Sequence, residues 1–151
     1  MNKQEFLFPQ VQLEIKSEGG KNWVFDALRR KFVRLTPEEE VRQYLIRYMI
    51  DCKGYPSQLI AIEREFEFHK IKKRFDLLVF DRNGNPLLIA ECKAPNIVLN
   101  QEVVNQVGIY NAVFGAKYLL ITNGLKLFVI EYLKKNKHLI LNEIPNYNSI
   151  C

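Results

Sequence analysis

The stretch RFDLLVFDRNGNPLLIAECKAP, residues 74–95, holds two apolar runs on either side of the dipeptide Asn83-Gly84. The runs cover residues 75–80 and 87–90, and such near-continuous apolar runs are typical of central strands buried on both faces. Asn-Gly between two strand-like segments is a strong signal for a two-residue β-hairpin turn. The stretch therefore predicts two adjacent antiparallel strands in the middle of a sheet.

Each strand carries one acidic residue where an apolar residue is expected, Asp76 in the first strand and Glu91 in the second. If the Asn-Gly pair forms the turn, counting back along both strands places Asp76 directly opposite Glu91. A wider loop centred on the same point keeps this pairing, whereas a bulge near Pro86 would shift it. Lys93 follows Glu91 by two residues and so lies on the same side of its strand.

Directly opposed side chains have Cβ atoms roughly 4.5–5.5 Å apart, and two buried carboxylates at that distance repel each other and are costly to ionise. A divalent cation removes this penalty, since Mg²⁺ is typically held by one or two carboxylates with waters and phosphate oxygens. The alternative is a plain salt-bridge patch. Lys93 would then pair with Glu91, and Asp76 would pair with Lys93 or with Arg74, which the same count places opposite Lys93. Because that patch leaves charges buried in central strands without a reason, the pattern favours a metal site.

The composition is that of an ordinary globular protein. With 151 residues, 48% of them apolar and 26% charged, the chain is long enough to bury one core and unlike disordered segments. Its apolar runs are short, which predicts no transmembrane helix, and the N-terminus lacks the apolar stretch of a signal peptide. Three cysteines without a CxxC pair argue against a disulfide scaffold and a zinc site. We therefore expect a cytoplasmic protein.

The net charge of +5 permits a polyanionic partner. Four cations lead directly into the first strand of the hairpin: Lys70, Lys72, Lys73 and Arg74. Three more lysines cluster between residues 134 and 137. Two solvated loops explain these clusters as well as a nucleic-acid surface does, so the charge pattern alone leaves both interpretations open.

A helix is expected before the hairpin, over residues 37–53. Thr36 can cap its first turn, Pro37 fits the first helical position, and Glu39 completes a capping box. Apolar residues then recur with helical spacing, and Gly54 is a typical stop.

A strand with period-two alternation follows over residues 59–68, with three glutamates on one face. A solvated strand face explains them; alternatively Glu63, at the more buried end, borders the site. Residues 100–114 have partial helical spacing. Gln106 and Tyr110 lie four apart on one face of that helix, where packing at the rim of the core is the plain explanation.

Two further strands, 118–122 and 125–132, flank a second Asn-Gly dipeptide. A strand–helix–strand crossover makes its two strands parallel. The order αβββαβ thus predicts an α/β fold with a mixed β-sheet core flanked by helices and a C-terminal β-hairpin. We expect residues 36–151 to form this single domain and residues 1–35 to form an N-terminal arm or hairpin.

Asp76 followed by Glu91-Cys92-Lys93, on adjacent strands after a helix, resembles the PD-(D/E)xK nuclease superfamily. More specific segments are TPEEEVRQ (36–43), GYP (54–56), RFD (74–76), AECKAP (90–95), Gln106-x-x-x-Tyr110-Asn111 and TNG (122–124). Together they are similar to the N-terminal nuclease domain of type I restriction enzyme R subunits, over about residues 25–146, and especially to its short stand-alone bacterial form. The resemblance implies a restriction-endonuclease-like fold and a metal-dependent deoxyribonuclease of a restriction-modification system.

The resemblance also implies roles for the central residues. Asp76 and Glu91 would be metal ligands, with the backbone carbonyl of Cys92 as a third. Lys93 would orient or help to deprotonate the attacking water and stabilise charge on the phosphate. The metal would be Mg²⁺, with Mn²⁺ as a substitute.

Further residues match accessory positions of the family. Gln106 and Tyr110 match the Gln-x-x-x-Tyr motif beside the site, and Glu63 matches the acidic position before the Asp-bearing strand. Glu39 matches an acidic position near the metal, although its capping-box role accounts for it equally well. The cations Lys70, Lys72, Lys73 and Arg74 could bind the DNA backbone without reading sequence.

Two positions depart from the family pattern, and we expect neither to touch the chemistry: Glu40, where members often have Trp, and Phe75, where they often have a small residue. No GxxxxGK[ST] loop is present, so neither an ATP site nor a helicase motor is expected. The implied partners are DNA and other restriction or DNA-repair subunits, with no membrane. The leading hypothesis is a Mg²⁺-dependent DNA endonuclease domain, and the alternative is a catalytically silent DNA-binding or assembly subunit on the same fold.

Overall fold

The computed structural model describes residues 5–9 and 11–151, so residues 1–4 and 10 of the expected N-terminal arm lie outside the described residues. A small N-terminal sheet contains β1 (Ile15–Glu18), β2 (Lys21–Asp26) and β3 (Lys31–Arg34). The main sheet contains β4 (Ile60–Phe68), β5 (Ile71–Phe80), β6 (Pro86–Cys92), β7 (Tyr118–Thr122), β8 (Leu127–Tyr132) and β9 (His138–Leu141). The helices are α1 (Pro37–Lys53), α2 (Gln101–Asn111) and α3 (Tyr147–Ile150), with one 3₁₀ turn at Ser57–Leu59 among the described residues.

The six strands of the main sheet lie in the order in which they occur in the chain. Neighbouring strands are antiparallel except for β6 and β7, which are parallel and are joined by the crossover that contains α2. This arrangement confirms the predicted α/β fold with a mixed sheet and a C-terminal hairpin, here β7 and β8, to which β9 adds a further antiparallel strand.

Each face of the main sheet is covered by a helix. On one face, α1 packs through Leu45 and Met49 against a core that includes Leu88. On the other face, α2 packs through Val104 and Val107. Because both faces are buried, the central strands consist of near-continuous apolar runs. None of the helices formed by the described residues is long and apolar enough to span a membrane.

The helix boundaries follow from their caps. The Thr36 hydroxyl accepts a hydrogen bond from the Glu39 N–H at 3.1 Å, and Gly54 ends α1 with a φ of 73°. In α2 the side chain of Asn100 accepts from Val103 N–H. This second helix ends earlier than predicted, because the Asn111 side chain bonds to the backbone of the following turn.

The hairpin of β5 and β6 has the predicted register. Leu77 faces Ala90, and Leu78 faces Ile89. The regular pairing stops there, and the next positions in the same register are Asp76 and Glu91. The count from the Asn-Gly dipeptide therefore describes this end of the hairpin correctly.

The turn of the same hairpin differs from the prediction, and the two-residue Asn-Gly turn is wrong. The loop covers residues 81–85, where the Asp81 carboxylate accepts hydrogen bonds from two backbone N–H groups at 2.8 and 2.9 Å. The loop displaces the pairing by one position, so that Phe80 faces Pro86, and a β-bulge between Val79 and Phe80 restores the register.

Candidate active site

Asp76 lies in β5, is 8% exposed, and is held from two sides. Its Oδ2 accepts a hydrogen bond from the Cys92 N–H of β6 at 2.6 Å. Its Oδ1 accepts from Nη1 of Arg42 on α1 at 3.1 Å. A helix on one face of the sheet and a neighbouring strand therefore fix the orientation of this carboxylate together.

Glu91 and Lys93 lie on the same side of the chain at the end of β6. The Lys93 Nζ is 3.4 Å from the Glu91 Oε1. The Lys93 backbone N–H donates to the Thr122 carbonyl of β7 at 2.8 Å, which ties this end of β6 to the next strand. The predicted pairing of Arg74 with Lys93 is not formed, because the regular pairing of β5 with β6 ends at Leu77 and Ala90; on its other side Arg74 pairs with Glu65 of β4.

The two carboxyl groups are close enough to change each other's ionisation. Burial, and next the negative charge of Asp76, raise the pKa of Glu91 to about 8, although Lys93 opposes the shift. Burial also raises the pKa of Asp76, against the Cys92 hydrogen bond and the Arg42 charge. The charge of Asp76 thus disfavours ionisation of Glu91, as expected for neighbouring buried carboxyl groups.

This donor set fits a hard divalent cation. Each oxygen of Asp76 accepts one hydrogen bond and has a second lone pair. A cation would also relieve the repulsion between Asp76 and Glu91. Among residues 5–9 and 11–151, no group of three or more His, Cys, Asp or Glu side chains could hold a metal ion. A cation would thus rest on two carboxylates with backbone oxygen and water, as Mg²⁺ commonly does.

A cleft of about 540 Å³ opens beside Glu91 and Lys93. Its polar lining comes from Glu38, Lys73, Arg74, Glu91, Lys93 and Gln106, and its apolar lining from Phe66, Phe75, Ile97, Val103, Val107 and Tyr110. The cleft thus lies between the end of β6 and α2, and its lining places carboxylates and cations next to aromatic rings.

The predicted accessory residues of α2 both line the cleft. Gln106 and Tyr110 reach it from the helix, and Lys73 of β5 lies over the Tyr110 ring with its Nζ 5.3 Å from the centroid. Phe75, which we expected to lie away from the chemistry, also lines the cleft and stacks on Phe66 at 4.8 Å.

The four predicted DNA-binding cations divide into two pairs. Lys73 and Arg74 line the cleft. Lys70 lies in the exposed turn between β4 and β5, and Lys72 is exposed opposite Glu67. Only the first pair is therefore adjacent to Glu91 and Lys93 within the cleft lining.

The two neighbouring acids of α1 have different surroundings. Glu39 is 5% exposed and bonds to Arg42 and Gln43. Glu38 lines the cleft, and after burial its charge contributes to the raised pKa of both Asp76 and Glu91. The first turn of α1 does bring a carboxylate to the site, but that carboxylate belongs to Glu38.

Arg42 is the centre of a buried network of charges. Besides Asp76 it contacts Glu39 and, at 3.3 Å, Glu63. Arg29, in the turn between β2 and β3, contacts the same two glutamates at 2.9 and 3.3 Å. The network therefore connects the N-terminal sheet, α1 and β4 to the candidate metal ligand.

Glu63 has an unusual backbone for a strand residue. Its φ is 53°, in the left-handed region that non-glycine residues rarely occupy. The pairs Ile62–Leu77 and Arg64–Phe75 on either side place it opposite Asp76. Strained residues of this kind persist when surrounding contacts hold them, and they cluster at functional sites. The strain here lies directly beside the Asp76 carboxylate.

Sequence reasoning missed Arg42, Glu38 and Phe66 as components of the site. A signal for Arg42 existed: it lies three residues before Leu45 and seven before Met49, so helical spacing places it on the buried face of α1. A cation in an otherwise apolar stripe requires an anionic partner, and Asp76 is that partner here.

One family model matches most of the chain. The family model described as Type I restriction enzyme R protein N terminus (HSDR_N) matches residues 37–145. No curated protein matches the chain.

Two solved structures are similar to this chain, and the first of them has the same fold. One is a fragment of a protein assigned as an HsdR subunit of a type I restriction enzyme from Vibrio vulnificus YJ016, with a TM-score of 0.57 and 21% identity over 77% of this chain and 24% of that one. The other is a protein assigned as a nuclease of DUF820 from Anabaena variabilis ATCC 29413, with a TM-score of 0.49 and 14% identity over 89% of this chain and 87% of that one.

The chain spans about a quarter of the HsdR fragment, 24% of its length. The family match covers most of the chain, from the start of α1 to beyond β9, and includes Asp76, Glu91 and Lys93. The chain therefore belongs to the family of type I restriction enzyme R protein N-terminal domains.

Proposed function

We propose that this nuclease-like domain is a metal-dependent DNA endonuclease that hydrolyses phosphodiester bonds in the cleft beside β6. The observation that carries the proposal is that Asp76 and Glu91 lie one position beyond the last paired residues of β5 and β6, Leu77 and Ala90, with Asp76 bound to the Cys92 N–H at 2.6 Å and Lys93 3.4 Å from Glu91. Burial and the charge of Asp76 raise the pKa of Glu91, and a bound cation would remove this cost of ionising it.

Asp76, Glu91 and the backbone carbonyl of Cys92 would hold Mg²⁺, with Mn²⁺ as a substitute. When bound, the cation would polarise a phosphate oxygen and lower the pKa of a water molecule. The network around Arg42 keeps Asp76 in place before DNA arrives, so little reorganisation is needed at the moment of reaction.

Lys93 would act on the reacting phosphate. Its ammonium group lines the cleft beside Glu91 and can orient a water molecule and stabilise the negative charge that develops during hydrolysis. Lys73 and Arg74 lie on the same cleft and would contact the DNA backbone, which positions a substrate without selecting its sequence. The proposed partner is thus DNA, with other restriction or DNA-repair subunits delivering the domain to it in the cytoplasm.

A cleavage assay tests the proposal. The purified chain is incubated with supercoiled plasmid, linear duplex, single-stranded, flap and junction DNA in Mg²⁺, in Mn²⁺ and in EDTA. We expect nicking or cutting of at least one substrate with either metal and none in EDTA. Lys93→Ala should lower the rate by about 10²–10³-fold, as does the loss of other charge-stabilising donors. Glu91→Ala should abolish cleavage.

Lys134→Ala is the matched control, because it removes an exposed lysine from the loop between β8 and β9. It should cleave at the rate of the unmodified chain. Intact DNA under every metal condition, from a chain that is folded by circular dichroism, would contradict the proposal.

The alternative function is a catalytically silent DNA-binding or assembly subunit, and the Arg42–Asp76 ion pair favours it, because Arg42 already neutralises one of the carboxylates. Isothermal titration calorimetry separates the two functions. The endonuclease should bind Mg²⁺ or Mn²⁺ and lose that binding in Asp76→Asn, whereas the silent subunit should show DNA binding and no metal binding.

A further inference from the structure

The N-terminal sheet has one face that is both aromatic and basic. Across its strands Lys16 faces Trp23, Trp23 faces Arg34, and Phe25 faces Phe32. Facing residues of paired strands project on the same side, and side chains two apart on a strand also share a side. This outer face therefore carries three aromatic rings, three cations and two acids: Trp23, Phe25, Phe32, Lys16, Lys21, Arg34, Glu14 and Glu18.

The outer face is not the face by which the sheet packs. Val24, on the opposite side of β2, is 0% exposed. The rings of Trp23, Phe25 and Phe32 are only half-buried and lie outside both hydrophobic cores formed by the described residues. The cations of this face are exposed. A chain that leaves three adjacent rings at a surface forms a patch of the kind that binding sites use.

The arrangement of rings and charges restricts what could bind. Lys16 lies over the Phe32 ring with its Nζ 4.4 Å from the centroid, and Phe25 packs edge-on against Phe32 at 5.4 Å. A hollow of about 500 Å³ lies on this outer face and is lined by Lys16, Glu18, Gly19, Lys21, Trp23 and Phe32. Aromatic rings interleaved with cations suit a ligand with flat apolar groups on an anionic backbone. The core of a protein–protein interface is instead depleted of charge.

We propose that the outer face of the N-terminal sheet binds single-stranded nucleic acid. Lys16 exchanges its contacts with Glu18, at 3.1 Å, and with the Phe32 ring for a phosphate. Unpaired bases then stack on Trp23 and Phe32, and the phosphates lie on Lys16, Lys21 and Arg34. Duplex DNA keeps its bases within the helical stack, so it offers these rings no free base. The face lies outside residues 37–145, which the family model matches, and it shares no residue with the cleft lining.

Trp23 is the only tryptophan of the chain and reports on this face directly. The full chain is titrated with a thymidine homo-oligonucleotide of about 15 nucleotides in EDTA, and the indole fluorescence is recorded. We expect saturable quenching that weakens with salt, because phosphate contacts release counterions. A duplex of the same length should quench far less. EDTA prevents metal-dependent cleavage, so binding is measured separately from the proposed nuclease activity. The oligonucleotide can bind where the cleavage assay fails, and cleavage can be found where this binding is absent.

Two substitutions test the assignment to this face, with binding followed by fluorescence anisotropy of a labelled oligonucleotide. Phe32→Leu should weaken binding about tenfold or more, the effect of losing one stacked base. Lys16→Gln should lower the slope of log K against log salt by about 0.7, the value for one phosphate contact to a single strand. Lys134→Gln removes an equal charge elsewhere and should leave the affinity within about twofold.

Circular dichroism checks that each variant is folded. Absence of quenching by the single strand overturns the proposal and leaves the face to a protein partner. Equal affinity for duplex, or binding by Phe32→Leu and Lys16→Gln as tight as that of the unmodified chain, also overturns it, because the binding would then be general electrostatic attraction.

Discussion

Glu91 holds a proton in the folded chain over a pH range in which the unfolded chain has lost it. Its pKa of about 8 lies above the ordinary value of 4.5, so the folded state binds more protons between these values and stability falls as the pH rises through that range. The stabilisation is fully present below about pH 4.5 and lost above about pH 8. We expect the melting temperature in EDTA to fall by several degrees between about pH 5 and 8.5.

Two comparisons check that Glu91 causes this slope. Glu91→Gln should be nearly flat over the same range, because its amide does not titrate. Mg²⁺ should flatten the slope of the unmodified chain if it displaces the proton. An equally steep fall in Glu91→Gln would assign the pH dependence to another group.

The helix α1 contains two arginines, the buried Arg42 and the exposed Arg47, and we expect their loss to change the free energy of unfolding by different amounts. Arg42→Met leaves the buried Asp76 without its cation and Glu39 with Arg29 alone, and breaking a buried pair in this way costs about 3–5 kcal/mol. Arg47 pairs with Asp51 at the surface, so Arg47→Ala should cost less than about 1 kcal/mol. Urea denaturation measures both. A loss of similar size in the two variants would contradict a buried network.

The first turn of α1 places both Glu38 and Arg42, so its cap affects the site as well as the helix. Thr36→Ala removes the hydroxyl that accepts from the Glu39 N–H and should cost about 1 kcal/mol of unfolding free energy. Thr36→Ser retains an acceptor and should recover most of that loss. Thermal unfolding of the two variants checks the expectation, which fails if they are equally unstable.

The register of the β5–β6 hairpin agrees with the count from the Asn-Gly dipeptide only because the bulge between Val79 and Phe80 cancels the displacement that the loop introduces. The turn could not be predicted, because Asp81 binds two N–H groups of the loop and outweighs the Asn-Gly preference. Asp76, Glu91 and Lys93 could be named because buried charges interrupt apolar runs. The left-handed backbone of Glu63 could not be predicted, because it interrupts the regular alternation of side chains along β4.

Contacts between distant segments explain the remaining omissions. Arg29 reaches Glu39 and Glu63 from the N-terminal sheet, and nothing local to residue 29 indicates these partners. Glu38 and Glu39 are adjacent, and only the rotation of α1 against the sheet decides which of them faces the cleft. The sequence pattern identified the correct helical turn, but the tertiary packing selects the residue.

The network through Arg29 predicts that the two sheets unfold together. Arg29 bonds to the buried Asp26, and although burial opposes the shift, its hydrogen bonds hold the Asp26 pKa below the ordinary value. We expect Trp23 fluorescence, which reports the small sheet, and far-UV circular dichroism to give coincident urea transitions. In Arg29→Ala the Trp23 transition should come first.

Arg30→Ala is the control for that experiment, since Arg30 is exposed in the same turn. It should keep the two transitions coincident. Separate transitions in the unmodified chain would show that the network does not couple the sheets.

The bulge at Val79 and Phe80 also compensates a change of strand register within the central hairpin. The loop at residues 81–85 shifts the pairing of β5 with β6 by one residue relative to the pairing near the site. The bulge cancels this shift before the strands reach Leu77. Additions at the loop tip can therefore be absorbed between the loop and the site, where an extra residue is already accommodated. This makes the tip of the hairpin the place to insert a peptide tag or fuse a targeting module without moving Asp76 relative to Glu91.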